Sequence, residues 1–218
     1  MRIAKVGEEE TSCLTKSQLA VVQASLHQGS AHASKALRDW IDKPTLVEID
    51  SLLPMPMEEA TGVLSAGEDP ICFCAMEMRG ALSGEMIFAF DDASGLALAD
   101  ILLGQPRGTA TEWTEMATSA ALETTNILCC AYLNALAENL VEGSEGLVPA
   151  PPRFNRDYAE SLLQFALMGQ AVAMDEVIVA KTRFEIDSVP VNWTLLFVPD
   201  AASMARLPGL LTGGESLE

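Results

Sequence analysis

Three polar residues in the middle of the chain have the types and the spacing to act together on water and on charge: Ser119, Glu123 and Asn126. On a helix, positions i, i+4 and i+7 lie along one side on successive turns, so a hydroxyl, a carboxylate and a carboxamide project in the same direction. Together they could grip a cation and orient a water. A carboxamide both accepts and donates, so it can fix a water without itself ionising. The plainer alternative is a solvated outer face, which amphipathic helices commonly have. Spacing alone leaves both open.

The element that must position these residues is a long helical pattern over about 112–141, followed by a Gly- and Pro-punctuated break to Pro149. At 100° per residue Ala121, Leu122, Leu128, Tyr132, Ala135 and Leu136 fall in one apolar arc, while Ser119, Glu123, Asn126 and Asn134 cluster opposite. An earlier helical stripe runs through Leu19, Val22, Leu26, Ala33, Ala36 and Leu37, starts at a cap on Thr15 or Ser17, and ends before Asp42-Lys43-Pro44.

Composition narrows the chemistry. The 218 residues suffice for a full core. A net charge of −18 argues against nucleic acid and against anionic membranes, both of which need clustered Lys and Arg. No apolar run reaches the roughly 18 residues of a spanning helix. Cys13, Cys72, Cys74, Cys129 and Cys130 are an odd set without paired zinc spacing, and with no secretory leader they point to a reducing cytoplasm. Cys72 and Cys74 share one face of a strand as small apolar residues, and His27 and His32, five apart, are poorly placed to share a metal. No metal or cofactor of the protein's own is expected.

The remaining segments alternate strands with short helices. A strand through Val47 and Ile49 ends at Pro54 and Pro56; a hairpin follows at about 71–79 and 84–90, then a short helix from Ala93 to Leu103. The run at 196–203 echoes 87–94, and Leu210-Leu211-Thr212-Gly213 echoes Ile101-Leu102-Leu103-Gly104, both at an offset of 109 residues. An internal duplication explains them, with a first half of about 15–104 and a second of about 112–213 in one domain. Lys181, Arg183 and Glu185 alternate with Thr182, Phe184 and Ile186, which predicts a sheet with one charged face and one apolar face. The expected fold is α+β: a mostly antiparallel sheet with the two long helices on one side.

Read as Ser-x3-Glu-x2-Asn-x22-Pro, the residues Ser119, Glu123, Asn126 and Pro149 resemble the phosphatase signature of the CheC/CheX/FliY family of bacterial chemotaxis. The run from Ala131 to Ala137 and Pro151-Pro152 are similar to that family's second helix and its exit. The resemblance implies two pseudo-symmetric halves sharing one sheet. It also implies hydrolysis of the aspartyl phosphate of a CheY-like response-regulator receiver, with Asn126 orienting water, Glu123 pairing with the receiver's lysine, Ser119 a docking contact and Pro149 shaping the turn. The Mg²⁺ belongs to the receiver. CheD is a further partner the resemblance suggests, and in relatives a region matching 157–174, with Leu162, Phe165, Leu167 and Met168, helps dock partners; four large apolar residues also suit a core helix.

Two departures stand out. The family's glycines beside its Asn are here Thr125 and Cys130, and on the first helix Gly29 and Ala36-Leu37 align Val22 with the family's Glu and Ser25 with its Asn. One active site is therefore expected, on the second helix. Cys130 is a poor nucleophile, with no base near it in sequence and acids that raise its pKa. The competing function is a non-catalytic module that binds a receiver or CheD, or a component of the flagellar switch.

Overall fold

The computed structural model describes residues 15–64, 69–141, 144–159, 161 and 176–211. Helix α1 (Lys16–Ile41) opens with a capping box, in which the Thr15 hydroxyl accepts from the Gln18 amide and the Gln18 side chain accepts from the Thr15 amide. It closes at Asp42, whose left-handed φ of 55° turns the chain into β1 (Thr45–Pro56). There follow α2 (Met57–Leu64), β2 (Ile71–Gly80), β3 (Gly84–Asp91) and α3 (Asp92–Leu102), then α4 (Glu115–Ala137), β4 (Leu147–Pro149) and β5 (Arg153–Asp157). The chain continues through β6 (Glu176–Ile186), β7 (Val189–Val191), β8 (Trp193–Pro199) and α5 (Ala201–Leu210).

Among the described residues the strands form one eight-stranded antiparallel sheet in the order β1-β6-β8-β3-β2-β4, with β5 also on β2 and β7 on β6. At its centre β3 pairs with β8 in a register that matches Gly84 to Pro199 and Phe90 to Trp193. The 109-residue offset carries Gly84 onto Trp193 and Phe90 onto Pro199, so the register maps onto itself when the halves exchange. The helix caps obey the same exchange. Asp91 accepts from the Ser94 amide at 2.6 Å and Asp200 from the Ser203 amide at 2.6 Å. The two serines then reach across the dyad, Ser94 Oγ to the Asn192 amide and Ser203 Oγ to the Ser83 amide. Two pseudo-symmetric halves thus share one sheet, with α1 and α4 side by side on one face.

The main core lies between that face and the helices, and includes Leu26, Leu37, Phe88, Leu128, Tyr132 and Trp193. The helices approach closely at Gly29, where an added Cβ would stand 2.6 Å from Tyr132 Cδ1 and 2.9 Å from Tyr132 Cα. The opposite face is not wet throughout, as the charged alternation on β6 predicts. Phe73, Ile87, Val177, Val179, Leu196 and Val198 form a second apolar cluster there with Ala60 and Leu64 of α2. Charge is kept to the two ends of this face: Lys181 and Arg183, both exposed, on β6, and the ion pairs Arg79–Glu77 and Arg153–Glu85 at the β2, β3 and β5 end. The middles of strands β2, β3 and β8 are buried on both sides, so the runs Ile71 to Met76, Met86 to Phe90 and Leu195 to Val198 are apolar without a break.

Between α3 and α4 the connector is folded around one carboxylate. Asp100, 1% exposed, accepts from the amides of Gly108 at 2.7 Å, Thr109 at 3.1 Å and Ala110 at 2.8 Å. Asp100→Ala leaves those donors without their acceptor and is expected to cost about 2 kcal/mol, which thermal unfolding should read as a fall of roughly 6 °C. A melting temperature unchanged within a degree would show that water replaces the carboxylate at no cost.

Candidate functional site

Helix α4 begins where the Thr114 hydroxyl accepts from the Ala117 amide at 3.2 Å, with Glu115 in its first turn. Its buried face is broad and takes in Ala121, Thr124, Thr125, Leu128, Tyr132 and Leu136. What remains outside is a single stripe on which Met116, Ser119 and Glu123 are exposed and Asn126 and Cys130 are half-buried.

Facing that stripe is a loop whose shape follows from its prolines. Pro149 pairs with Met78 at the end of β4, and the Ala150 amide donates to the Glu77 carbonyl at 2.8 Å. Pro151 and Pro152 have no N–H to continue the ladder. Pairing resumes at Arg153, opposite Ala75. Three residues, Ala150 to Pro152, thus oppose two, Met76 and Glu77, so the edge bulges out of the sheet.

The bulge and the helix stripe enclose an open groove of about 450 Å³ lined by Ser119, Leu122, Glu123, Asn126 and the segment Pro149 to Pro152. All four residues singled out in the sequence therefore border one space, although Pro149 lies far along the chain from Asn126. Leu122 and Ala150 also line the groove but were not singled out as site residues; Leu122 follows the apolar period of α4 and so reads as core from sequence.

Thr125 and Cys130 fare differently. Thr125 is fully buried and its hydroxyl returns to the Ala121 carbonyl at 2.9 Å, so its bulk enters the core and not the groove. Cys130 stands beside Asn126, its Sγ 3.8 Å from Asn126 Oδ1. Burial, and then the charge of Glu123, push its thiol pKa up. That keeps it protonated and unsuited to attack. Among the described residues no three of His, Cys, Asp and Glu gather closely enough to hold a metal ion.

On α1 the structure corrects the alignment drawn from sequence. Val22, Ser25, Leu26, Gly29, Ser30, Ala33, Ser34 and Leu37 are buried, and each has a buried counterpart 99 residues later on α4, from Ala121 to Leu136. The caps agree, Thr15 with Thr114, and so do the hydroxyls that bond back one turn, Ser25 to the Val21 carbonyl and Thr124 to the Ala120 carbonyl. Glu123 and Asn126 therefore correspond to Ala24 and His27, not to Val22 and Ser25, which are in the core. The slip of two residues arose because Gly29 was matched by type, whereas it sits where the helices touch.

No family model matches the chain. The CheY-P phosphatase CheC of Bacillus subtilis (strain 168) is 22% identical over 198 residues, which cover 89% of this chain and 93% of that protein. FliY of Thermotoga maritima superposes with a TM-score of 0.69 at 15% identity, covering 90% of this chain and 96% of the other. The chain is similar to CheC in sequence and has the fold of FliY. The same fold is found in FliM of H. pylori, in its complex with FliG, at a TM-score of 0.67 and 11% identity over 88% of this chain and all of that one. In this CheC-like chain no helix among the described residues is long and apolar enough to cross a membrane. The segment with Leu162, Phe165, Leu167 and Met168 lies outside the described residues.

Proposed function

We propose that this protein hydrolyses the aspartyl phosphate of a CheY-like receiver domain in chemotaxis signalling. The observation that carries the reading is the groove, in which an amide, a carboxylate and a hydroxyl on one helix stripe face a proline-lined wall. The likeness to CheC, which bears the name CheY-P phosphatase, supports the same reading.

Hydrolysis of an acyl phosphate needs a water in line with the carboxylate oxygen that leaves. The water oxygen bonds to phosphorus, the P–O bond to the receiver's aspartate breaks with its electron pair staying on the carboxylate, and inorganic phosphate departs. The receiver contributes Mg²⁺ and a lysine to neutralise the phosphoryl oxygens, so what a partner must add is position. Asn126 inserts and holds the water; its half-buried root limits its rotamers, which lowers the entropy lost on docking. Glu123 pairs with the receiver's lysine and sets the angle of approach. Ser119, one turn further out, contacts the receiver's rim, and Pro149 shapes the wall.

Glu123→Ala should weaken both binding and turnover, because its ion pair forms before chemistry begins. An increase in receiver Kd of about tenfold is expected, measured against a receiver carrying a stable phosphoryl mimic. Unchanged affinity together with unchanged turnover would remove Glu123 from the interface. A second reading, a module that holds the receiver without turnover, is favoured by the absence of an acid–amide pair on α1, where Ala24 and His27 stand. Timed phosphate loss from the organism's phosphorylated receivers separates the two, since only the enzyme accelerates it.

A further inference from the structure

The wall of the groove is built on an edge of the sheet. Among the described residues, strands β4 and β5 are short and pair only with β2, and an edge held on one side opens more readily than the sheet's interior. Yet the Pro149 to Pro152 wall must keep its distance from α4 for a groove to exist. Two side-chain ties hold this edge down: Arg153 of β5 ion-pairs with Glu85 of β3 at 2.5 Å, and a larger group of donors converges on Asp92, the first residue of α3.

Asp92 Oδ1 accepts from Trp113 Nε1 at 2.8 Å, from Arg156 Nε at 2.9 Å and from the Cys72 thiol at 3.3 Å, and Oδ2 accepts from the terminal guanidinium nitrogen of Arg156 at 2.6 Å. The donors come from three places. Arg156 lies on β5, four residues beyond Pro152; Trp113 immediately precedes Thr114, the cap of α4; Cys72 lies on β2, opposite Arg156 in the ladder. Phe154, also on β5, packs on the Trp113 ring at a centroid distance of 4.7 Å. An isolated exposed ion pair contributes little. This one is forked, and its carboxylate also serves an indole and a thiol, which fixes its orientation. Arg156 and the other donors hold the Asp92 carboxyl down at about 2, so the junction is charged throughout the neutral range.

We infer that Arg156, Asp92 and Trp113 are positioning residues, a strut between the edge strand and the start of α4 that sets the width of the groove presented to the receiver. The inference rests on the proposed reading of that groove as the receiver's docking site. None of the three residues lines it. Losing the strut leaves the residues that act on phosphate intact but lets the wall sample widths that do not accept the receiver. Apparent affinity then falls by the fraction of molecules still competent, while turnover of the bound complex is kept.

Two measurements test this on the full chain, after a melting curve has confirmed that each variant is folded. In the free protein, Arg156→Ala should speed hydrogen exchange of the β4 and β5 amides by about tenfold relative to those of β3 and β8; exchange unchanged at that edge overturns the strut whatever the protein does to receivers. With a phosphorylated receiver, Arg156→Ala and Asp92→Ala should each raise KM about five- to tenfold with kcat within about twofold, and the double variant should be no worse than either alone. A fall in kcat with KM unchanged, or costs that simply multiply, would show that the pair does not act as one strut on docking. If the unaltered protein turns over no receiver, the proposed function fails, and the exchange experiment still decides the strut.

Discussion

Asn126→Ala is expected to slow receiver dephosphorylation by about a hundredfold, equivalent to about 2.7 kcal/mol at the barrier, while leaving receiver affinity within about twofold. The separation follows from what the amide does. Orienting a water matters once phosphorus begins to change partners and matters little in the resting complex, so the loss falls on kcat and spares binding. Asn126 is half-buried on a helix whose other face is packed, so its removal disturbs no core contact. The comparison needs decay of a pre-phosphorylated receiver under single-turnover conditions, alongside titration with a receiver bearing a stable phosphoryl mimic. A variant that binds poorly and turns over normally when saturated would assign Asn126 to docking.

Gly29→Ala should destabilise the whole fold by about 3 kcal/mol, the upper part of the range for overpacking. Its added methyl would meet the Tyr132 Cα at 2.9 Å, a backbone atom that cannot swing aside, as well as the ring at 2.6 Å. Relief requires α1 and α4 to separate, and the Ser30 to Tyr132 hydroxyl contact of 3.1 Å beside it would be strained as they do. Urea unfolding should show the midpoint shifted with the slope unchanged. Stability within about 0.5 kcal/mol of the parent would mean that the helix pair slides freely, contrary to the packing described.

Much of this architecture was legible in the residues. The apolar stripes of α1 and α4 follow a helical period, the hairpin of β2 and β3 follows from its flanking glycines, and the 109-residue echo reflects a real dyad because cap and strand residues repeat together: Asp91 with Asp200, Ser94 with Ser203. The groove was legible in part. Ser119, Glu123 and Asn126 share a stripe by periodicity, but nothing in spacing brings Pro149 to them; only the family pattern did. What sequence did not reveal is contact between residues far apart with no common period. Asp92, Trp113 and Arg156 meet because three elements end at one corner, and each alone reads as an ordinary surface or loop residue. The second apolar cluster was missed for a related reason: Lys181 and Arg183 suggested a wet face, whereas Val177 and Val179, two pleats earlier on the same face, are buried. On α1 the correct register is visible only from burial, which sequence types alone matched two residues out.

The central claim, that this groove accelerates loss of phosphate from a receiver aspartate, is tested most directly by stopped-flow decay of each phosphorylated CheY-like receiver of the organism with and without the unaltered protein. The account predicts that at least one cognate receiver loses phosphate tenfold faster or more at saturating protein, roughly 1.4 kcal/mol or more off the barrier, and that Asn126→Ala removes most of the gain. Decay at the receiver's own rate for every one of them, with binding still detected, would contradict it and leave a receiver-binding module in its place.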